Sequence, residues 1–170
     1  WRINVIRRPT VDEYFIIQAM HASSRGSCIR RRVGCILTNE YNHVLATGYN
    51  GPPAGEPNCT EHPCEGARLP SGTGLNLCRA THAEHNAIKQ CSNIFNIRTA
   101  YVTASPCNMC IDKLLATSCQ RIVFLQEYPH SDARLRWIES GRSIDWIFDL
   151  IDDESPVHMF ANIYGFGSEK

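Results

Sequence analysis

The tightest constraint on this chain is a pair of short segments that must meet in space to do chemistry. One is His82-Ala83-Glu84, inside the run Thr81 to Ile88; the other is Pro106-Cys107-Asn108-Met109-Cys110. One imidazole and two thiolates make a three-ligand zinc set and leave the fourth tetrahedral position open to water, which separates a catalytic ion from a structural one. Each segment opens an expected helix, Thr81 to Cys91 and Cys107 to Thr117, and an expected strand, Ala100 to Ala104, lies between them. The Cys-x-x-Cys spacing at a helix start lets both sulfurs face one ion, and the helix N-terminus favours their thiolate form. A fold for this chain has to bring those two helix starts together.

The remaining pattern indicates how. Thr10 to His21 reads as a helix, with Thr10 as N-cap and Glu13 three residues on in a capping box. Val33 to Leu37 and Val44 to Thr47 read as strands joined by the turn Asn39 to Asn42. Arg121 to Leu125 is a further strand, and Ser131 to Ser140 a helix ended by Gly141. This order of hairpin, helix, strand, helix, strand, helix indicates an α/β sandwich with a mixed sheet. A length of 170 residues suits one domain, 1–170, with a core over about 9–140. Residues 141–170 read as an acidic, partly apolar tail without a legible role. Gly48 to Gly74 is rich in Gly, Pro and Asn and lacks periodicity, so it is expected to be functional or stapled.

Lys plus Arg and Asp plus Glu each total 17, a formal net charge of zero. That argues against a large nucleic-acid footprint, which shows as a basic excess. The run Arg30-Arg31-Arg32 is either a local basic patch or a solvated loop. No stretch approaches the roughly 18 apolar residues of a membrane span, and Trp1-Arg2-Ile3-Asn4 has no signal-peptide layout. The expectation is a soluble, cytoplasmic protein without nucleic-acid or membrane partners. Nine cysteines in such a protein point to metal more than to disulfides.

Glu84 need not bind the ion. Two residues after His82, it can face the water at the open position, take its proton and deliver it to a ring nitrogen while hydroxide attacks C4 of a cytosine; ammonia then leaves. Such general acid–base help contributes about 10²–10⁴ in rate. His-x-Glu with Pro-Cys-x-x-Cys is a recognised zinc-deaminase signature, although neither half is specific alone. The competing readings are a tRNA or single-stranded DNA editor, a guanine- or riboflavin-type deaminase, and a structural zinc module. The last has no use for a carboxylate aimed at an open position.

Further stretches then carry a likeness. They are Ser24-Arg25-Gly26-Ser27-Cys28, Arg32 to Leu37, Thr47-Gly48-Tyr49-Asn50-Gly51-Pro52-Pro53-Ala54-Gly55, and Tyr101-Val102-Thr103 ahead of Ser105-Pro106-Cys107. With the zinc motifs, these make the chain resemble the deoxycytidylate deaminases of the cytidine deaminase-like superfamily, from about Pro9 to about Leu135. The resemblance implies a three-layer α/β/α fold on a five-stranded mixed sheet and hydrolysis of dCMP to dUMP for thymidylate synthesis. It implies that Asn50 holds the sugar hydroxyl, the Ala83 amide contacts the base carbonyl, and Tyr128 lies in the substrate pocket. Read without the resemblance, Asn50 is a turn residue tolerating positive φ, and Tyr128 a rim aromatic before Pro129. The family also implies a homo-hexamer activated by dCTP with Mg²⁺ and inhibited by dTTP.

Cys28, Cys59, Cys64 and Cys78 lie outside the catalytic set, and three of them fall in or beside the long Gly/Pro segment. They read as a second, structural zinc site or as free thiols, with His62 able to replace one ligand. The resemblance supports zinc, since some members carry a second ion in this region. Cys35, Cys91 and Cys119 read as core residues. Arg25, Arg79, Lys113 and Arg134 are candidates for reading the phosphate.

Overall fold

The computed structural model describes residues 7–70, 73–128 and 132–167; Trp1 to Asn4, Pro129 and Ser131 lie outside the described residues. Five strands, β1 (Gly34–Thr38), β2 (Val44–Tyr49), β3 (Thr99–Ala104), β4 (Arg121–Gln126) and β5 (Ser143–Trp146), form one sheet in the order β2-β1-β3-β4-β5. β1 runs antiparallel to β2 and β3, while β3, β4 and β5 are parallel, so the sheet is mixed. The β1–β2 turn is held by Asn39, whose Oδ1 accepts from the Tyr41 and His43 amides at 3.0 and 2.9 Å. Asn42 adopts φ 60°, a left-handed conformation that asparagine tolerates.

Helices cover both faces: α1 (Val11–Ser23), α2 (Ala83–Gln90), α3 (Asn108–Leu115), α4 (Asp132–Glu139) and α5 (Pro156–Ile163). The alternation of a strand decides which side chains face which layer. Ile36, Tyr101, Val123 and Leu125 pack with Phe15, Ile16 and Met20 of α1 and with Val157 and Ala161 of α5. Their neighbours Cys35, Leu37, Val102, Ile122 and Phe124 pack with Ala83 and Ala87 of α2, Ile111 and Leu114 of α3, and Trp137 of α4. The result is a three-layer α/β/α sandwich on a five-stranded mixed sheet.

Two glycines set the spacing between layers. A Cβ on Gly34 would lie 2.0 Å from the Ala19 carbonyl oxygen of α1, and one on Gly48 would lie 2.1 Å from the Ala83 carbonyl oxygen of α2. Both helices therefore ride directly on strand backbone, with no room for a side chain between.

The capping box at Thr10 forms as the sequence indicates: Thr10 Oγ1 accepts from the Glu13 amide at 3.2 Å, and the Thr10 amide donates to Glu13 Oε2 at 2.6 Å. α2 and α3 begin slightly later than the sequence pattern, at Ala83 and Asn108, because Thr81 pairs with Gly51 as an isolated bridge and both His82 and Cys107 are extended. Residues 141–170, without a legible role in sequence, supply the edge strand β5 and the helix α5. Ser155 caps α5 by accepting from the Val157 amide, and Pro156 stands at its start. Among the described residues, no helix is long and apolar enough to cross a membrane.

Glu13 is buried, and the Arg7 guanidinium meets its carboxylate at 2.7 and 2.8 Å while also reaching Asp152 at 2.9 Å. The Arg7 hydrogen bonds hold the Glu13 carboxyl at about 2 against the upward push of burial. A carboxyl depressed in the folded state stabilises it above the ordinary carboxylate range and loses that contribution as pH falls towards about 2. Denaturant unfolding followed from pH 7 to pH 2.5 should show the parent losing more stability on acidification than Glu13→Gln, which starts lower at pH 7 by about 1–3 kcal/mol. Acid loss of bound metal affects both alike, so parallel curves would remove Glu13 as the source.

Candidate active site

His82 and Cys107 occupy the N-cap positions of α2 and α3, and neither side chain caps its own helix. N-caps ordinarily use a side-chain oxygen to satisfy first-turn amides. Here both side chains instead turn towards one point, where Cys110 joins them from the first turn of α3. His82 Nδ1 lies 3.5 Å from Cys107 Sγ and 3.3 Å from Cys110 Sγ, and the three donors all fall within 4.8 Å of one another. Bonds of roughly 2.0–2.1 Å to nitrogen and 2.3 Å to sulfur at a tetrahedral angle put N and S about 3.6 Å apart. The donor set and its spacing thus fit a zinc ion with one position left over.

The donors shift one another's protonation in opposite directions. Hydrogen bonding with Cys110, then with His82, holds the Cys107 thiol down at about 4 although burial opposes it. Cys110 is pushed the other way, first by its hydrogen bond to Cys107 and then by burial. The His82 ring is raised by its hydrogen bond to Cys107. Glu84, 4% exposed, stands in the first turn of α2 beside these donors, and burial raises its carboxyl.

One pocket opens onto this group. Ala83, Asn50, Ala104, Ser105 and Tyr128 line it along with His82, Glu84 and Cys107. The Ala83 amide belongs to the first turn of α2, whose N–H groups have no acceptor within the helix. Asn50 sits just past β2, and its amide ties two backbone groups together: Oδ1 accepts from the Val33 amide and Nδ2 donates to the Arg31 carbonyl, both at 2.8 Å. The positive-φ reading of Asn50 fails, since Asn42 is the non-glycine residue with positive φ among those described. The Tyr128 amide donates to Ser105 Oγ at 2.7 Å, which fixes the tyrosine against the loop before α3.

None of Arg25, Arg79, Lys113 and Arg134 lines this pocket. Arg25 lies over the Tyr49 ring, Arg79 donates to the His62 carbonyl, and Arg134 lies over Phe124. The cations in the lining are instead Arg30 and Arg31. The basic run at 30–32 was the available signal, but which of its members turn inward depends on the loop held by Asn50.

Cys28, Cys59, Cys64 and Cys78 line a small cavity with Pro52 and Pro57, whereas the three-donor metal group found among the described residues is His82, Cys107 and Cys110. Cys59 and Cys64 have their sulfurs 3.8 Å apart. His62 is exposed and outside that lining. Cys28 and Cys78 also line the larger pocket, so the two cavities share a wall. Cys35 and Cys119 are core residues, whereas Cys91 is half-buried and donates to the Asn93 carbonyl at 3.3 Å.

Comparison with known proteins places this arrangement. The profile of the cytidine and deoxycytidylate deaminase zinc-binding region matches residues 9–126. The chain is 37% identical over 125 residues to the deoxycytidylate deaminase of Schizosaccharomyces pombe, an alignment covering 71% of this chain but 38% of that protein. It is 36% identical over 126 residues to the deoxycytidylate deaminase of Mycobacterium phage D29, covering 71% of this chain and 98% of that one. The chain thus spans about two fifths of the fission-yeast relative and nearly all of the phage one. Among solved structures, the dCMP deaminase of cyanophage S-TIM5 in complex with dCMP and dUMP superposes with a TM-score of 0.68 at 25% identity, covering 82% of this chain and 98% of that one.

Proposed function

The chain belongs to the cytidine and deoxycytidylate deaminase zinc-binding family, and on that footing we propose that it converts dCMP and water to dUMP and ammonia, supplying dUMP for thymidylate synthesis. The observation that carries this reading is a buried carboxylate, Glu84, held beside a nitrogen-and-two-sulfur donor set in a pocket. A purely structural metal site has no use for that carboxylate. The substrate assignment draws on the relatives named deoxycytidylate deaminase and on the cyanophage structure with dCMP and dUMP.

His82, Cys107 and Cys110 would hold the zinc, which when bound supplies Lewis-acid activation of water near neutral pH. Glu84 does the proton work: its carboxylate takes a proton from the attacking water, gives it to the ring nitrogen N3, and then carries the second proton to the departing amine. Its burial suits a group that must switch between base and acid. The Ala83 amide donates to the base carbonyl, Asn50 faces the sugar, and Tyr128 closes the side of the pocket. Glu84→Gln is nearly isosteric but cannot shuttle a proton. It should keep its fold and zinc and lose about 10²–10⁴ in turnover. Near-native activity in this variant would end the assignment, and loss of zinc would make Glu84 a ligand.

Cys28, Cys59, Cys64 and Cys78 hold a second, structural zinc on this reading. Two sulfurs bound tetrahedrally to one zinc stand about 3.8 Å apart, and Cys59 and Cys64 have that spacing. Metal analysis of purified protein should return two zinc ions per chain. Cys59→Ser should retain the catalytic ion and lose the structural one, with earlier proteolysis between residues 52 and 78. Cys107→Ser should do the reverse. A single zinc unaffected by Cys59→Ser would leave those four residues as thiols.

The same reading includes regulation in a cytoplasmic homo-hexamer, with dCTP and Mg²⁺ activating and dTTP inhibiting. The family resemblance motivates it, as does the position of the Gly/Pro segment, which leaves β2 next to Asn50 and returns to α2 through the Gly51–Thr81 bridge. An effector acts by binding one conformational state better than another, and coupling of a typical size changes apparent dCMP affinity by about 5–150-fold. The dCMP rate curve should be sigmoidal alone and hyperbolic with dCTP. Hyperbolic kinetics that ignore both triphosphates at millimolar concentration would leave an unregulated enzyme.

A further inference from the structure

We propose that Asn86 is a positioning residue for the reaction: its side-chain amide clamps the end of β2, which leads into Asn50, to the start of α2, which carries His82 and Glu84. This deepens the deaminase reading above and rests on it. Asn86 is the fourth residue of α2, and it does not itself line the pocket. Its Nδ2 donates to the Tyr49 carbonyl at 2.8 Å and has a second, longer approach to the Thr81 carbonyl at 3.5 Å. Tyr49 directly precedes Asn50, and Thr81 directly precedes His82. One side-chain nitrogen thus reaches the peptide group entering the residue on the sugar side and the peptide group entering the first metal donor.

The Tyr49 carbonyl is placed so that it needs such a donor. β2 is an edge strand. The Asn50 amide turns inward and donates to the Val33 carbonyl at 3.1 Å. In a trans peptide the carbonyl points the opposite way, so the Tyr49 oxygen faces the side on which the sheet has no further strand. Val33 and Asn86 therefore hold one peptide group from its two ends. Gly48 already brings β2 onto α2, where a Cβ would lie 2.1 Å from the Ala83 oxygen and 2.5 Å from the Ala87 nitrogen. That contact limits how closely strand and helix approach, but it does not stop one sliding along the other. A hydrogen bond is directional and does. Asparagine is a poor helix former because its side chain competes for nearby backbone groups; here that side chain serves a carbonyl of the neighbouring strand instead. The Asn50 side chain is bonded in turn to Val33 and Arg31, so a shift of the Tyr49–Asn50 peptide would be passed to the pocket wall.

The test measures steady-state dCMP deamination, zinc content and circular dichroism in the parent, Asn86→Ala, Asn86→Asp, Asn86→Gln, Asn50→Ala and the double variant Asn50→Ala/Asn86→Ala. Removing the donor in Asn86→Ala should raise KM about 5- to 30-fold, the range for one hydrogen bond, while kcat moves less than about threefold and zinc stays bound. Asn86→Asp has the same shape without the N–H and should lose at least as much. Asn86→Gln keeps the donor and should recover part of the loss. Because Asn86 acts through Asn50, the double variant should have a KM within about twofold of Asn50→Ala alone. KM effects that multiply in the double variant would overturn the proposal, as would an unchanged KM in Asn86→Ala. Loss of fold or of zinc in both Asn86→Ala and Asn86→Asp would make Asn86 a residue of the fold alone and also end it. Amide hydrogen exchange separates the two levels of inference and decides the matter if Asn50→Ala does not fold. If the parent deaminates no cytosine compound, the deaminase reading falls, and faster exchange across residues 49–51 and 81–82 in Asn86→Ala still upholds the clamp. Unchanged exchange in both segments would sink it.

Discussion

The His82 ring meets the two α3 sulfurs across the seam between two helices that share one face of the sheet, and the rest of the catalytic end is arranged around that contact. It joins segments that are distant in sequence at 3.3 and 3.5 Å. Because both helices begin there, two sets of first-turn amides and two positive dipole ends converge on the same small volume. That field favours thiolate at Cys107 and offsets part of the cost of a buried carboxylate at Glu84. The N-cap positions themselves are surrendered to ligation: in place of a Ser or Asp satisfying its own helix, each helix starts with a residue that reaches for the metal position. Local helix stability is exchanged for geometry, and the sheet underneath supplies what the caps do not.

The central strands of that sheet, β1, β3 and β4, are buried on both faces, which makes their register hard to change, since a slip by one residue would send each strand's apolar set into the opposite layer. The far layer adds its own fastening. Arg121 on β4 donates to both carboxylate oxygens of Asp12 on α1 at 2.7 and 3.0 Å and to Asp145 on β5 at 2.7 Å, while the Tyr101 hydroxyl of β3 also reaches Asp12 at 2.9 Å. One guanidinium thereby links α1, β4 and β5 on the side away from the pocket.

The metal donors and Glu84 were legible because their chemistry is written in short-range spacing: His-x-Glu and Cys-x-x-Cys each need only a helix start to become a half-site. The α1 cap was legible for the same reason, since Thr10 and Glu13 are one turn apart. The end of the chain was not. β5 is four residues long and buries Ile144 alone, too little for a period-two signal. The Ser155-Pro156 start of α5 stands just behind the acidic run Asp152-Asp153-Glu154, which reads as a solvated tail. The pocket's arginines were missed for another reason. Residue type cannot say which of many guanidiniums turns inward; that is decided by Asn50 bonding to Arg31 and Val33, a tertiary contact with no local spacing to reveal it.

Gly48 lends the pocket a further property. Its backbone touches Ala83, the residue between His82 and Glu84, and two positions along the same strand end comes Asn50. The separation between Asn50 and the turn carrying His82 and Glu84 is therefore spanned by main chain in van der Waals contact, with no side chain in between. Such a span acts as a fixed gauge. Exchanges of lining side chains can retune the pocket's chemistry, yet the distance from Asn50 to the His82–Glu84 turn stays set by the thickness of two peptide backbones. A lineage of such proteins could thus diversify its ligands without ever widening the slot, as long as position 48 remains glycine.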